Sequence, residues 1–287
     1  MDKNAMLAMA LPDGLWAGTE STLHSLVARL MAIHERPIPE AAMGYSSVTA
    51  QKEEPPPYLL SMQGSIAVID IKGAMTNATS WWDRYDKVST YPAIREALVY
   101  AAQSPSVKGI LLDIESGGGA VAGMFDTANM IRHINDNVKP VVAFGETMFS
   151  AAYCLGCAAG QVFSSKSSGV GSIGIIATHM DYSKMYADMG INVTVMRSGK
   201  YKALVNRFEP LTDASREQFQ DGMDANYDVF IEHVASMRDT TKQTADNKMA
   251  QGREFYGQAA QEAGLVDAIT SFDQVLAALQ ESVDKQH

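Results

Sequence analysis

Pro140-Val141-Val142-Ala143-Phe144 and, three residues on, Met148-Phe149-Ser150-Ala151-Ala152-Tyr153-Cys154-Leu155-Gly156-Cys157-Ala158-Ala159 form the centre of this chain. The first run has the length and β-branching of a buried strand, and the second opens an Ala-rich segment that predicts a helix. Ser150 therefore falls at a strand-to-helix turn. A side chain there points into a cleft, and the first N–H groups of the helix point at the same place. That is where a nucleophile would sit.

Upstream, Ser65–Ile71 reads as an apolar strand closed by Gly73, and 92–103 as a helix with Pro92 in its first turn. Val107–Ile114 is a second strand, breaking into Glu115-Ser116-Gly117-Gly118-Gly119-Ala120 before a helix that runs to about Asn135. Strands and helices alternating through short connections predict right-handed crossovers and a mainly parallel sheet flanked by helices, an α/β fold. Downstream come Gln161–Phe163, the Gly-rich 167–175, a short helix, a strand over Ile191–Met196, and Arg197-Ser198-Gly199-Lys200-Tyr201-Lys202. Thr212 is a plausible N-cap for a long helix with Phe219, Met223, Tyr227, Phe230, Val234 and Met237 on one stripe, and Ser271 with Gln274 forms a capping box for the last helix. Before all this, 19–35 has helical spacing on Leu23, Leu26, Val27, Leu30 and Met31, and 51–57 is charged and Pro-rich. The expected division is an N-terminal helical arm and linker over 1–60 and a main domain over 61–287. Trp81-Trp82 falls in a loop, as packing or as an oligomer contact.

The 287 residues are 46% apolar, enough for a sizeable core, and carry a formal charge of −10 without a Lys/Arg run, which argues against a nucleic-acid surface. Cys154 and Cys157 have no second pair to complete a metal site, so they read as small buried side chains in a reducing compartment. No apolar run approaches the ~18 residues a membrane span needs. Met6–Leu11 is too short and too weakly basic for a signal peptide.

The glycines at 117–119 leave backbone N–H groups unshielded, which suits phosphate cradling, an oxyanion hole or simply a tight turn. No G-x-x-x-x-G-K-[ST] supports the phosphate. Gly169–Gly174 matches G-x-G-x-x-G, but no clear helix follows, so it reads as a decoy. A serine nucleophile needs a base, and none of the six histidines lies beside a glycine-rich turn with a supporting carboxylate. A lysine serves if burial disfavours its charged form. Lys202 and Lys200, directly after a predicted strand and a Ser-Gly turn, are the candidates; a solvated loop charge is the competing reading.

Three motifs, the glycine-rich strand end at 113–119, Phe149-Ser150-Ala151-Ala152-Tyr153 and Ser198-Gly199-Lys200-Tyr201-Lys202, agree in order and spacing with the signal peptide peptidase A family of Ser-Lys serine peptidases, peptidase family S49, which the chain resembles over about residues 65–270. The resemblance implies a ClpP/crotonase-like fold with repeated β-β-α and βαβ units. It makes Ser150 the nucleophile and Lys202 the general base, with Lys200 as second choice. Gly118, Gly119 and Ala151 would supply oxyanion N–H groups, and Ser172 in Gly171-Ser172-Ile173-Gly174 would support the dyad. Gly117 departs from the family, which often has Pro there. No metal or cofactor is implied. The substrates would be proteins or peptides, and relatives form rings that share active-site walls between subunits.

The details at 115–126 are most similar to the tailed-phage head maturation branch, which cleaves scaffold and capsid-assembly proteins inside the prohead in the host cytoplasm. Some relatives carry a fused scaffold segment after the protease. None follows His287 here, so scaffold is expected as a separate protein or this chain as part of a longer one. Three alternatives accompany this reading: a soluble bacterial signal-peptide-peptidase-like protease, a crotonase-type acyl-CoA enzyme using Asp113 or Glu115, and a catalytically inactive assembly module.

Overall fold

Four parallel strands run through the middle of the chain. In the computed structural model, which describes residues 15–34, 56–78, 83–84 and 86–285, the elements are β1 (Trp16–Gly18), α1 (Glu20–His34), β2 (Leu60–Gln63), β3 (Ile66–Lys72), α2 (Tyr91–Gln103), β4 (Gly109–Ser116), β5 (Gly118–Ala120), α3 (Met124–Asn137), β6 (Val141–Phe149), α4 (Ala151–Gly156), β7 (Gln161–Gly171), α5 (Ser183–Asp188), α6 (Asp213–Met237), β8 (Glu254–Tyr256), α7 (Gln258–Glu262), β9 (Ala268–Ile269) and α8 (Phe272–Asp284). Met6–Leu11, Trp81-Trp82, 51–55 of the Pro-rich stretch and the side chains of Leu30 and Met31 lie outside the described residues.

The main sheet has the order β2-β3-β4-β6-β7-β8, with β3, β4, β6 and β7 parallel, β2 and β8 antiparallel at its ends, and β9 parallel to β7. The expected α/β fold with a mainly parallel sheet is what forms. Its strands are apolar on both faces because helices cover both. Ile69, Ile71, Ile110, Leu112, Ile114 and Ala143 share one core with α2, α3, α4 and the C-terminal half of α6. Ile66, Val68, Leu111, Val142 and Phe144 face the other way, under Val275, Leu279 and Val283 of α8. Each fully buried Ile, Leu, Val or Phe among them contributes about 1.5–3 kcal/mol.

The caps follow the sequence. Thr212 accepts from Ser215 N at the start of α6, and Ser271 with Gln274 makes the capping box of α8. Two expectations need correction. Ile191–Met196 forms no strand: it is a largely exposed irregular segment that pairs with no strand among the described residues. The apolar stripe of α6 packs against the core only from Tyr227 onward, while Phe219 and Met223 are half-buried beside an outer cavity.

Candidate active site

β6 delivers Ser150 to its turn. Phe149 pairs with Gly171 of β7, the Ser150 N–H donates to the Gly171 carbonyl at 2.7 Å, and α4 begins at the next residue. All six residues of α4 are buried, and the Tyr153 hydroxyl donates to the Leu265 carbonyl at 2.9 Å, so the helix cannot shift without breaking the core. Ser150 has φ 55° and ψ −117°, a conformation an L-residue adopts at a cost of about 1–3 kcal/mol and keeps only where its surroundings enforce it. The residue is 1% exposed, and its hydroxyl donates to the Gly174 carbonyl at 3.3 Å. The sharp turn aims that hydroxyl off the end of the sheet, as a nucleophile elbow does.

The second wall is the glycine turn between β4 and β5, and β5 packs against α4. The Ser116 hydroxyl donates to the Gly73 carbonyl at 2.6 Å, and the Gly118 N–H donates back to the Ser116 oxygen at 3.1 Å. Met75 N–H donates to the Gly118 carbonyl at 3.0 Å, and Ala120 N–H to the Met75 carbonyl at 2.9 Å. Gly118 has φ 106°, and a Cβ on Gly119 would stand 2.2 Å from the Met75 carbonyl oxygen, so backbone packing requires both glycines. At Gly117 a Cβ would meet Thr22 Oγ1 at 1.8 Å. The absence of a side chain at 117 thus leaves room for Thr22 of α1. β1 pairs antiparallel with β5, so part of the N-terminal arm lies against the glycine turn.

Beside Ser150 lies a cavity of about 530 Å³, and Gly117, Gly118, Gly119 and Ala151 are not among the residues that line it. Ser150, Ser172, Gly174 and Ile176 line it from one side, Gly18, Thr19, Glu20 and His24 from another, and Glu254 closes it. Ser172 thus shares a cavity with Ser150, held by its N–H to the Arg253 carbonyl at 2.6 Å. Sequence reasoning had set aside every histidine, yet His24, an exposed residue of α1, stands at this cavity. Its only sequence signal is the helical spacing of α1, which says nothing of where that helix docks. Gly169–Gly171 is the end of β7, paired with both β6 and β8, so the first half of the G-x-G-x-x-G match is the end of an interior strand next to Ser150.

Lys202 is not brought to the cavity. It is exposed in a turn, its N–H donating to the Gly199 carbonyl at 3.1 Å, and it is absent from the cavity lining. Lys200 lies nearby with its ammonium 4.8 Å from the Tyr201 ring centre. Asp113 faces the α8 side of the sheet, opposite α4, and pairs with Lys72 at 3.3 Å; burial raises its pKa while Lys72 pulls it back. An acyl-CoA role for that carboxylate finds no support in this placement. Burial keeps the Cys154 thiol well above its ordinary range and pushes Cys157 up to about 12, as expected of inert core thiols. No helix among the described residues is long and apolar enough to cross a membrane.

The sequence profile described as Peptidase family S49 matches residues 133–286. Capsid assembly protease C of Escherichia phage lambda is 32% identical over 225 residues, 78% of this chain and 50% of that protein. Head-tail preconnector protein GP5 of Enterobacteria phage P21 is 33% identical over 205 residues, 71% of this chain and 40% of that protein. The chain thus spans half or less of the length of these curated relatives. A solved enoyl-CoA hydratase/isomerase family member superposes with a TM-score of 0.46 at 15% identity, over 78% of this chain and 74% of that one. The profile match extends from the latter part of α3 through α8, far beyond any single motif, and the chain belongs to peptidase family S49.

Proposed function

We propose that this protein is a serine endopeptidase in which Ser150 attacks the scissile carbonyl and Lys202 acts as general base. The observation that carries the reading is the strained, buried turn that sets Ser150 in the wall of an open cavity. The Ser150 hydroxyl gives its proton to the neutral amine as its oxygen bonds to the carbonyl carbon, and the amine returns the proton to the leaving nitrogen. The Ala151 N–H, joined by the Gly118 and Gly119 N–H groups once they leave their present partners Ser116 and Ala17, stabilises the oxyanion, and water then releases the acyl-enzyme. Ser172 helps to orient the dyad.

Because Lys202 is exposed away from the cavity within its own subunit, it reaches Ser150 of a neighbouring subunit in a homo-oligomeric ring. The exposed apolar side chains of Met189, Ile191, Val193, Met196 and Tyr201, on the segment leading to and flanking Lys202, suit that assembly. Docking there would also withdraw the amine from water, the condition a lysine base requires. The phage relatives, one a capsid assembly protease and the other a head-tail preconnector protein, support capsid scaffold and assembly proteins as substrates, cleaved inside the assembling head. One observation favours a second base: His24 shares the cavity with Ser150. A fluorophosphonate probe should label the wild-type protein at Ser150, located by mass spectrometry, and leave Ser150→Ala unlabelled. Labelling lost with His24→Ala but kept with Lys202→Ala would replace the lysine by the histidine, and no labelling of the wild-type assembly would remove the peptidase reading.

A further inference from the structure

Residues 15–19 are held by both of their edges. On one side the Thr19 N–H donates to the Gly117 carbonyl at 2.8 Å and the Val121 N–H to the Leu15 carbonyl at 3.2 Å, with Ala17 opposite Gly119 between them. The alternation of an antiparallel ladder makes that middle pair a hydrogen-bonded one as well. On the other side Trp16 and Ile176 exchange both backbone bonds, at 3.0 and 2.9 Å. The segment is therefore a strand inserted between the glycine turn and the 174–176 segment, and at its far end Gly18 and Thr19 line the same cavity as Ser150.

From this we infer that the slot between 117–121 and Ile176 is a groove that binds an extended peptide by its backbone, and that residues 15–19 are the chain's own occupant of it, to be displaced by substrate. An extended peptide adding to two exposed edges gains affinity from main-chain bonds and leaves its side chains to set specificity. Three features mark the present occupant as a placeholder. Gly18 offers no side chain to the cavity, which stays open at about 530 Å³. The anchoring Trp16 is 3% exposed, yet its Nε1–H finds no acceptor among the described residues, an unmet bond that a permanent core residue seldom carries. The arm fits only because position 117 has no Cβ to strike Thr22 and Thr19.

The inference rests on the peptidase reading for what the groove is for, but its test does not need catalysis. In full-length Ser150→Ala protein, a fluorescein-labelled peptide copying residues 14–18, which lacks the Thr19 that a side chain at 117 would strike, should bind weakly by anisotropy, because the tethered segment competes. Adding Ala17→Pro removes the central N–H of the inserted strand, and adding Gly117→Ala pushes a methyl into the Thr22 contact from the opposite wall. Each should tighten peptide binding tenfold or more, and the second covers the case in which the first does not fold. Unchanged or weaker affinity in both, with cooperative thermal unfolding retained, would make residues 15–19 a permanent structural strand and overturn the inference. Tighter binding together with no fluorophosphonate labelling of the Ser150-intact protein would keep the groove and reject the peptidase reading. Normal labelling without tighter binding would do the opposite.

Discussion

The two halves of the proposed dyad sit in contrasting surroundings. Ser150 is locked by a parallel strand pair, a buried helix and a bond to Gly171, whereas Lys202 lies in an exposed run of turns following a segment that found no strand partner. One half of the chemistry is finished when the subunit folds. The other half becomes usable only when something covers it. Under the proposed dyad, a lone subunit would hold its shape without cutting, and activity would follow assembly.

The widest gap should appear when each half is removed. Ser150→Ala should lower peptide hydrolysis by on the order of 10⁴-fold or more, with circular dichroism unchanged. Lys202→Ala should cost on the order of 10²- to 10⁴-fold, while Lys200→Ala keeps most of the activity. If the two lysine variants lose equally, the choice between them is wrong.

A smaller effect sharpens the role of assembly. Met196 is 90% exposed in the subunit, so Met196→Asp should leave the melting temperature nearly unchanged while shifting the protein to smaller species in light scattering and lowering activity in step. Full activity from a monomeric Met196→Asp protein would place both dyad members within one chain.

The smallest effect concerns the locked half alone. His233 of α6 donates to the Cys154 carbonyl of α4 at 3.2 Å, and burial holds its pKa below the ordinary 6.5. The unfolded chain takes that proton more readily, so the stability this group contributes is full above about pH 6.5 and is lost as pH falls toward the folded value. Urea unfolding at pH 7.5 and 5.5 should show a smaller loss for His233→Gln than for wild type. An equal loss would mean that other groups govern the acid limb.

How much of this could be read from the chain depends on where the contacts come from. The run from Pro140 to Ala159 declared its strand, turn and helix because the pattern is local and the partners are neighbouring strands of the same sheet. The glycine turn was legible for the same reason. Ile191–Met196 has the composition of a strand, but composition cannot supply an edge to pair with, and no strand among the described residues pairs with it. β1 was invisible: Trp16–Gly18 is three residues long, and its partners lie a hundred positions away. The approach of His24 to the cavity depends on that same docking. Pairing Ser150 with Lys202 came from family resemblance, and the subunit's geometry does not bring the two side chains together.

Subunit mixing tests the dyad most directly. Ser150→Ala and Lys202→Ala proteins, each inactive alone, would be dissociated together and reassembled in equal amounts. If Lys202 serves a neighbour's Ser150, the mixture should recover about a quarter of wild-type activity, the share of sites in which both partners are intact. Recovery no higher than either parent, in assemblies proven to contain both chains, would contradict a dyad shared between subunits.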